Sequence, residues 1–279
     1  MDLVRKPLNP ATGTEYEKCE YALFSSCNLG AFEPEIVVKL YDSLRFQKED
    51  TGLMIMCCGF AVKREGAPDW QDAFNDALSD VRAAWESLGR PTLICPCPTC
   101  MKTLGEALPE IPTVSLYKML NEFGINGGCN SVEYYLWEDG SDDDSNLVND
   151  LKDLAENMGV KLQPAPADPA DAEYPYITCN INIRNMLKSW GKDAAHILEL
   201  IYGMGDSNTH LVHEHDHGED HAADETGGGT AADCDGDCSP CALCAGCTDK
   251  PQPPAPLPDE EQQNQNRTEL KETMLALFW

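Results

Sequence analysis

Short apolar runs alternate with longer amphipathic stretches along roughly the first 205 residues of the chain. The short runs, typical of strands, cover residues 21–26, 53–56, 92–94, 132–137 and 174–178. The longer stretches repeat apolar positions at helical spacing and cover residues 34–45, 69–88, 99–108 and 146–158. Alternation of this kind predicts an α/β body with a largely parallel sheet.

The pattern changes after the body. Residues 206–263 are rich in Asp, Glu, Gly, Pro and His, and they have too little apolar surface to offset the entropy of ordering, so we expect disorder there. Residues 264–279 return to helical spacing, with Leu270, Met274, Leu277 and Phe278 on one side. This terminal helix is expected to dock on the body or on a partner.

Charge excludes two classes of partner. The 279 residues include 20 basic and 48 acidic side chains, a formal charge of −28, which repels nucleic acid and anionic membranes. The first 18 residues contain acids and two prolines and no apolar run of signal-peptide length, and no run elsewhere has the length of a membrane span. We therefore expect a cytoplasmic protein, where clustered cysteines are usually metal ligands or redox groups.

Six of the 14 cysteines follow the first three predicted strands, and five of them are candidate ligands. Cys27 follows the first strand, Cys57 and Cys58 the second, and Cys97 and Cys100 the third. Ligands of open α/β sheets bind at the carboxyl ends of the strands, so these five thiols are expected to meet in one crevice. Cys95, the sixth, directly follows the third strand and is interpreted as a spare core thiol.

The adjacent Cys57 and Cys58 limit the kinds of site that the five thiols could form. A disulfide between Cys57 and Cys58 would close a small strained ring, and a tetrahedral zinc site needs only four ligands. A polynuclear iron–sulfur centre has several irons, so neighbouring thiolates can each bind a different one, and Gly59 gives the backbone room to turn. An iron–sulfur cluster is favoured over the alternative of buried core cysteines.

These residues also resemble a known family. The runs LFSSCNLG (23–30), Cys57-Cys58-Gly59, CPTCMKT (97–103) and IPTVSLYKML (111–120) are similar to the cysteine-rich CCG domain of heterodisulfide reductase B-like subunits. The similarity is closer to the C-terminal, cluster-binding region of pyridine nucleotide-disulfide oxidoreductase/dicluster-binding proteins, and it extends to residues 176–203 and to the last helix. The resemblance implies a [4Fe-4S] centre, cubane or non-cubane, with Cys27, Cys57, Cys58, Cys97 and Cys100 as its ligands.

Relatives often carry two such motifs, whereas the second half of this chain has only Cys179 at a strand end, with Asn182 where a second thiol would fall. Cys129 precedes a strand and is wrongly placed for the crevice. We therefore predict two pseudo-repeated lobes. Residues 1–125 are a CCG-type iron–sulfur domain, 126–205 a degenerate second lobe, 206–263 a disordered linker and 264–279 a docking helix.

A nucleotide site is missing from the pattern. The only glycine run, residues 227–229, lies in the predicted linker and does not follow a strand, so no dinucleotide fingerprint is present. We interpret the chain as a detached electron-transfer component of an oxidoreductase. It would relay electrons between a flavoprotein or ferredoxin partner and a disulfide or other acceptor.

The linker contains a second group of candidate ligands. Imidazoles and thiolates at this spacing suit zinc, nickel or copper. They are His210, His213, His215, His217, His221, Cys234, Cys238, Cys241, Cys244 and Cys247. The alternative hypothesis is thus a non-enzymatic metal-binding protein that acts through this tail, although a low-complexity tract can also have incidental affinity.

A histidine and three basic residues of the body are further candidates for a structural or functional role. His196 begins an apolar helical stretch, residues 196–202, and is predicted to be a packed or capping residue. Lys63, Arg64 and Lys102 lie just after the cysteines. They are either solvated surface or groups that tune a cluster or attract an anionic substrate.

Overall fold

The first sheet of the computed structural model is built from five strands. They are β1 (Leu3–Arg5), β2 (Tyr21–Ser25), β3 (Gly52–Ile55), β4 (Thr92–Cys95) and β5 (Thr113–Ser115). Their order is β1-β3-β2-β4-β5, and all neighbours are parallel except β1, which runs antiparallel to β3. The structure describes residues 2–65, 69–127, 132–137, 147–166, 168, 171–203 and 256–279.

Helices connect the parallel strands, as the alternating pattern predicts. They are α1 (Cys27–Phe32), α2 (Pro34–Gln47), α3 (Phe60–Glu65), α4 (Trp70–Ser87), α5 (Pro98–Ala107) and α6 (Leu116–Glu122). Proline at the first position of α2 and of α5 suits a helix start, because that position has no intrahelical partner for an N–H. The predicted α/β class with largely parallel sheets is confirmed.

A second sheet follows in the chain. It consists of β6 (Glu133–Leu136), β7 (Lys161–Gln163), β8 (Tyr176–Thr178) and β9 (Ala194–His196), in the all-parallel order β7-β6-β8-β9. Its helices are α7 (Leu147–Asn157), α8 (Ile181–Ser189) and α9 (Ile197–Tyr202). The parallel strands of both sheets share one order, in which the first strand in the chain lies between the second and the third.

A continuous apolar core joins the two sheets. It contains Leu23 and Ile94 from the first sheet and Tyr134 and Ile177 from the second, all buried. The buried Tyr117 of α6 adds a polar link, since its hydroxyl donates to Pro96 O at 2.8 Å and to Cys179 O at 3.4 Å. The strand ends of one sheet are thereby fixed relative to those of the other.

The terminal helix α10 (Glu260–Phe278) packs against α1 and α2. It begins four residues before the predicted start because Asp259 caps it, accepting a 2.9 Å hydrogen bond from Gln262 N. Leu270 and Met274 are buried as expected, but Leu277 is 61% exposed. The contact stripe advances in steps of four residues and winds around the helix, which leaves Leu277 outside it.

Within the described part of the chain, no helix has the length and apolarity needed to cross a membrane.

Candidate metal centre at the first sheet edge

Five cysteines lie at the carboxyl edge of the first sheet. Cys27 begins α1 just after β2, and Cys57 and Cys58 connect β3 to α3. Cys97 is the N-cap of α5, and Cys100 lies in its first turn. Because β3, β2 and β4 are parallel neighbours, their carboxyl ends bring all five thiols to one place.

The thiols contact one another in pairs. Cys100 Sγ lies 3.5 Å from Cys58 Sγ and also donates a hydrogen bond to Cys97. Cys27 donates a hydrogen bond to Cys57, whose sulfur also accepts from Gly59 N at 3.3 Å. Cys58 and Cys100 are buried, whereas Cys27, Cys57 and Cys97 are half-buried. One side of the group is therefore closed, and the other approaches the surface.

Hydrogen bonds divide the thiols into donors and acceptors. The hydrogen bond from Cys27, followed by the one from Gly59 N–H, lowers the pKa of Cys57 to about 6, and the charge of Arg267 on α10 acts in the same direction. The corresponding hydrogen bond raises the pKa of Cys27. Two sulfurs, of which Cys57 is one, are thus prepared as thiolates, the form that binds metals.

Cys97 is the second prepared sulfur. The hydrogen bond from Cys100 lowers its pKa to about 7, helped by the backbone N–H groups of Cys100 and Thr99 at the start of α5 and by the Ser26 hydroxyl. Hydrogen bonds to Cys58 and Cys97 raise the pKa of the buried Cys100 thiol. Helix N-terminal amides are a common means of stabilising a thiolate.

Two other body cysteines do not share this environment. Cys95 is fully buried in β4, its sulfur lies 3.9 Å from Leu93 O, and burial raises its pKa. Cys19 is buried, and burial raises its pKa to about 12. Inert core thiols have these properties, in agreement with the interpretation of Cys95 as a spare thiol.

The contacts among the five thiols form two groups. Among the residues that the structure describes, no group of three or more His, Cys, Asp or Glu side chains is arranged around a point where a single metal ion could bind. Cys27 contacts Cys57, and Cys100 contacts both Cys58 and Cys97. Five thiols exceed the four donors of a tetrahedral zinc site.

The second sheet has different side chains at its carboxyl edge. Asn180 is the N-cap of α8 and accepts a 3.1 Å hydrogen bond from Asn182 N. Asn180 lies two residues after β8, as Cys97 lies two residues after β4. Counted from the helix starts, Ile183 and not Asn182 therefore corresponds to Cys100. The cavity beside Cys179 measures only about 10 Å³.

Buried charges lie close to this second edge. Arg184 of α8 forms ion pairs with Glu33, which precedes α2, and with Glu199 of α9, the latter at 2.8 Å. Glu199 Oε2 accepts a 2.6 Å hydrogen bond from His196 N, and His196 Nδ1 accepts from Leu198 N at 3.3 Å. His196 is thus a buried capping residue, as predicted, and burial followed by the charge of Arg184 lowers its pKa to about 3.

Several predicted residues lie outside the described part of the chain. They are Cys129 and the tail ligands His210, His213, His215, His217, His221, Cys234, Cys238, Cys241, Cys244 and Cys247. The sequence patterns in turn missed Ser26 and Arg267, which act on Cys97 and Cys57. Arg267 lies on the predicted docking helix, but apolar spacing gives no sign of where its charge falls.

No known protein family, curated protein or solved structure matches this chain. The resemblance to the CCG domain therefore rests on the motif residues alone.

Proposed function

We propose that this chain is the iron–sulfur electron-transfer component of an oxidoreductase of the heterodisulfide reductase type. Cys27, Cys57, Cys58, Cys97 and Cys100 would hold the cluster. One observation carries the proposal, namely that all five thiols meet at the carboxyl ends of three parallel strands. When bound, a [4Fe-4S] cluster, cubane or non-cubane, supplies reversible one-electron storage.

The five cysteines have different roles in this proposal. Cys57 and Cys97 offer thiolates, each stabilised by a neighbouring thiol and by backbone N–H groups. Cys58 and Cys100 exclude water from the inner side because both are buried. The half-buried Cys27, Cys57 and Cys97 face the route by which a redox partner would approach.

We also propose that the second lobe is a degenerate copy of the first. The shared order of the parallel strands supports this, because both sheets place their first strand between the second and the third. The helix starts support it as well: Asn180 stands where Cys97 stands, and His196 caps α9 as Ser115 caps α6 directly after a strand.

A separate flavoprotein or ferredoxin would exchange electrons with the cluster, and a disulfide or another acceptor would be its counterpart. A formal charge of −28 favours partners with a basic docking face and disfavours nucleic acid. We propose a cytoplasmic location, where the thiols would stay reduced.

Iron and acid-labile sulfide per chain test the proposal, together with electron paramagnetic resonance, on anaerobically purified protein. We expect about four irons, as a [4Fe-4S] cluster requires, and their loss in the double variant Cys57→Ser/Cys58→Ser. Cys19→Ala is the matched control, because Cys19 is a buried thiol outside the group. Absence of iron after anaerobic reconstitution of the wild-type chain would overturn the proposal.

Deletion of residues 206–255 separates the proposal from its alternative, a metal-binding protein that acts through the His/Cys tail. The deletion removes all ten candidate tail ligands and leaves α10 in the chain. An electron relay should keep its iron and its spectrum. Loss of bound zinc or nickel from a chain that never held iron would favour the alternative.

A further inference from the structure

A groove lies beside the CCG motif, outside the group of five thiols. Helices α3, α4 and α5 form it, and its volume of about 330 Å³ is within the range of small-molecule sites. Its lining residues are Phe60, Lys63, Phe74, Thr99, Lys102, Thr103, Glu106 and Ala107. A second cavity of about 270 Å³ shares Lys63 and Phe74 with the groove and extends it to Trp70.

The groove is joined to the cysteine site through its walls. Phe74 packs on the motif glycine, since a Cβ on Gly59, whose φ is +83°, would lie 2.7 Å from the Phe74 ring. Phe60 directly follows Gly59, and Thr99 directly precedes Cys100. An occupant would therefore lie against the two chain segments that carry the buried thiols Cys58 and Cys100.

The lining of the groove combines two chemical features. Phe60 and Phe74 supply apolar ring surface, and Phe60 remains 36% exposed although it is a large hydrophobic residue. Lys63 and Lys102 supply ammonium groups from two different helices, and the Lys63 ammonium lies 5.8 Å from the centre of the Phe74 ring.

The charge around this groove differs from that of the whole chain. Acidic residues outnumber basic ones by 48 to 20, yet among the described residues the lining of the groove has two lysines and a single carboxylate, Glu106. Two ammonium groups in a lining that also has aromatic rings favour an anion with an apolar part, because the anion gains charge-assisted hydrogen bonds while its body covers the rings.

We propose that this groove binds a small organic anion, with its carboxylate or similar group held by Lys63 and Lys102 and its apolar body against Phe60 and Phe74. Binding itself does not require a cluster. A role for the bound anion in electron transfer rests on the proposed function, because only then is there a redox centre beside it.

Isothermal titration of the anaerobically purified full chain with 2-naphthoate tests the groove. Uncharged 2-naphthamide and inorganic phosphate are the comparison probes, each of which lacks one half of the proposed chemistry. We expect saturable one-to-one binding of 2-naphthoate and at least tenfold weaker binding of both other probes. In Lys63→Gln/Lys102→Gln, the affinity for 2-naphthoate should fall at least tenfold. Lys118→Gln, which changes an exposed lysine on α6, should leave it unchanged.

Three results would overturn the inference: no saturable binding of 2-naphthoate, equal binding of 2-naphthamide, or an equal loss in Lys118→Gln. Iron is measured on the same samples, which keeps the two proposals apart. Lysine-dependent binding in a chain without iron would retain the groove and contradict the cluster. A cluster in a chain that does not bind 2-naphthoate would retain the proposed iron–sulfur site and contradict the groove.

Discussion

The carboxyl edges of the two sheets differ in how their helices begin. At the first edge, Ser26 is the N-cap of α1 and makes no side-chain capping hydrogen bond, whereas Cys97 is the N-cap of α5 and its sulfur accepts from the N–H groups of Thr99 and Cys100. At the second edge, Asn180 caps α8 and His196 caps α9 in a reciprocal capping box with Glu199. Cys97 and Asn180 stand at corresponding positions, so the same strand order is combined with a thiol at one helix start and an amide at the other.

This difference indicates what a thiol site costs the fold. The Ser26 hydroxyl donates to the Cys97 sulfur, so it serves the site and leaves the first N–H groups of α1 uncapped. A side-chain cap contributes about 1 kcal/mol to stability. Helices α8 and α9 of the second edge have one each, as α6 of the first edge has from Ser115, whereas α1 has none. In the proposed function, the missing cap of α1 is the stability that the thiol site costs.

The largest expected effect comes from exchanging the N-cap residues of α5 and α8, Cys97 and Asn180. Cys97→Asn places the residue of the second edge at the first. We expect loss of most of the bound iron, because one thiolate of the site is gone. The free energy of unfolding of the apoprotein should rise by at most about 1 kcal/mol, because the amide oxygen replaces a weaker sulfur acceptor at the start of α5. Iron analysis and urea unfolding measure the two effects.

The reciprocal variant is the control. Asn180→Cys removes the hydrogen bond to Asn182 N and should lower the free energy of unfolding by about 1 kcal/mol, with no change in iron content. Equal iron loss in both variants would show that the two edges do not differ in the proposed way.

Sequence patterns captured the elements with the strongest periodicity and missed the shortest. The five predicted strands and four predicted body helices all exist, but β1, β5, β7 and β9, of three residues each, were not predicted. Convergence of the five thiols followed from the parallel topology. The interaction of Ser26 with Cys97 and of Arg267 with Cys57 depends on tertiary packing, which no local pattern encodes.

The buried polar side chains of the second edge make its stability depend on pH. Burial holds the pKa of His196 at about 3, below its ordinary value of 6.5, so the neutral ring contributes stability above pH 6.5 that is lost as the pH falls towards 3. Between pH 7 and 4.5 this loss amounts to about 2–3 kcal/mol. Burial of Glu199 raises the pKa of its carboxyl, which acts in the opposite direction.

His196→Asn isolates the histidine contribution, because asparagine also caps a helix and does not titrate. Urea unfolding at pH 7 and 4.5 should show a loss in the wild-type chain that exceeds the loss in the variant by about 2–3 kcal/mol. Both chains keep Glu199, so its effect cancels in the difference. Parallel losses in the two proteins would mean that His196 is not buried in its neutral form.

The smallest expected effect is a difference in stability between variants of two cysteine-bearing helices at the first edge. Helix α1 is covered by α10, and helix α5 is open. Gly30 of α1 faces the terminal helix: a Cβ there would lie 2.9 Å from Leu270 Cδ2, and Leu270 is buried. Gly105 of α5 has no atom within 4 Å of such a Cβ. Gly105→Ala should therefore gain the full helix propensity of alanine, about 0.5–1 kcal/mol.

Gly30→Ala gains the same propensity but must displace Leu270 from a closed contact, and α10 is further held by Asn266 Nδ2, which donates to Ala31 O at 2.7 Å. We expect its net effect on the free energy of unfolding to be zero or destabilising. Urea midpoints at constant slope measure both variants. If both variants were stabilised equally, α10 would not press on α1, and the helix that begins with Cys27 would be as open as the one that carries Cys100.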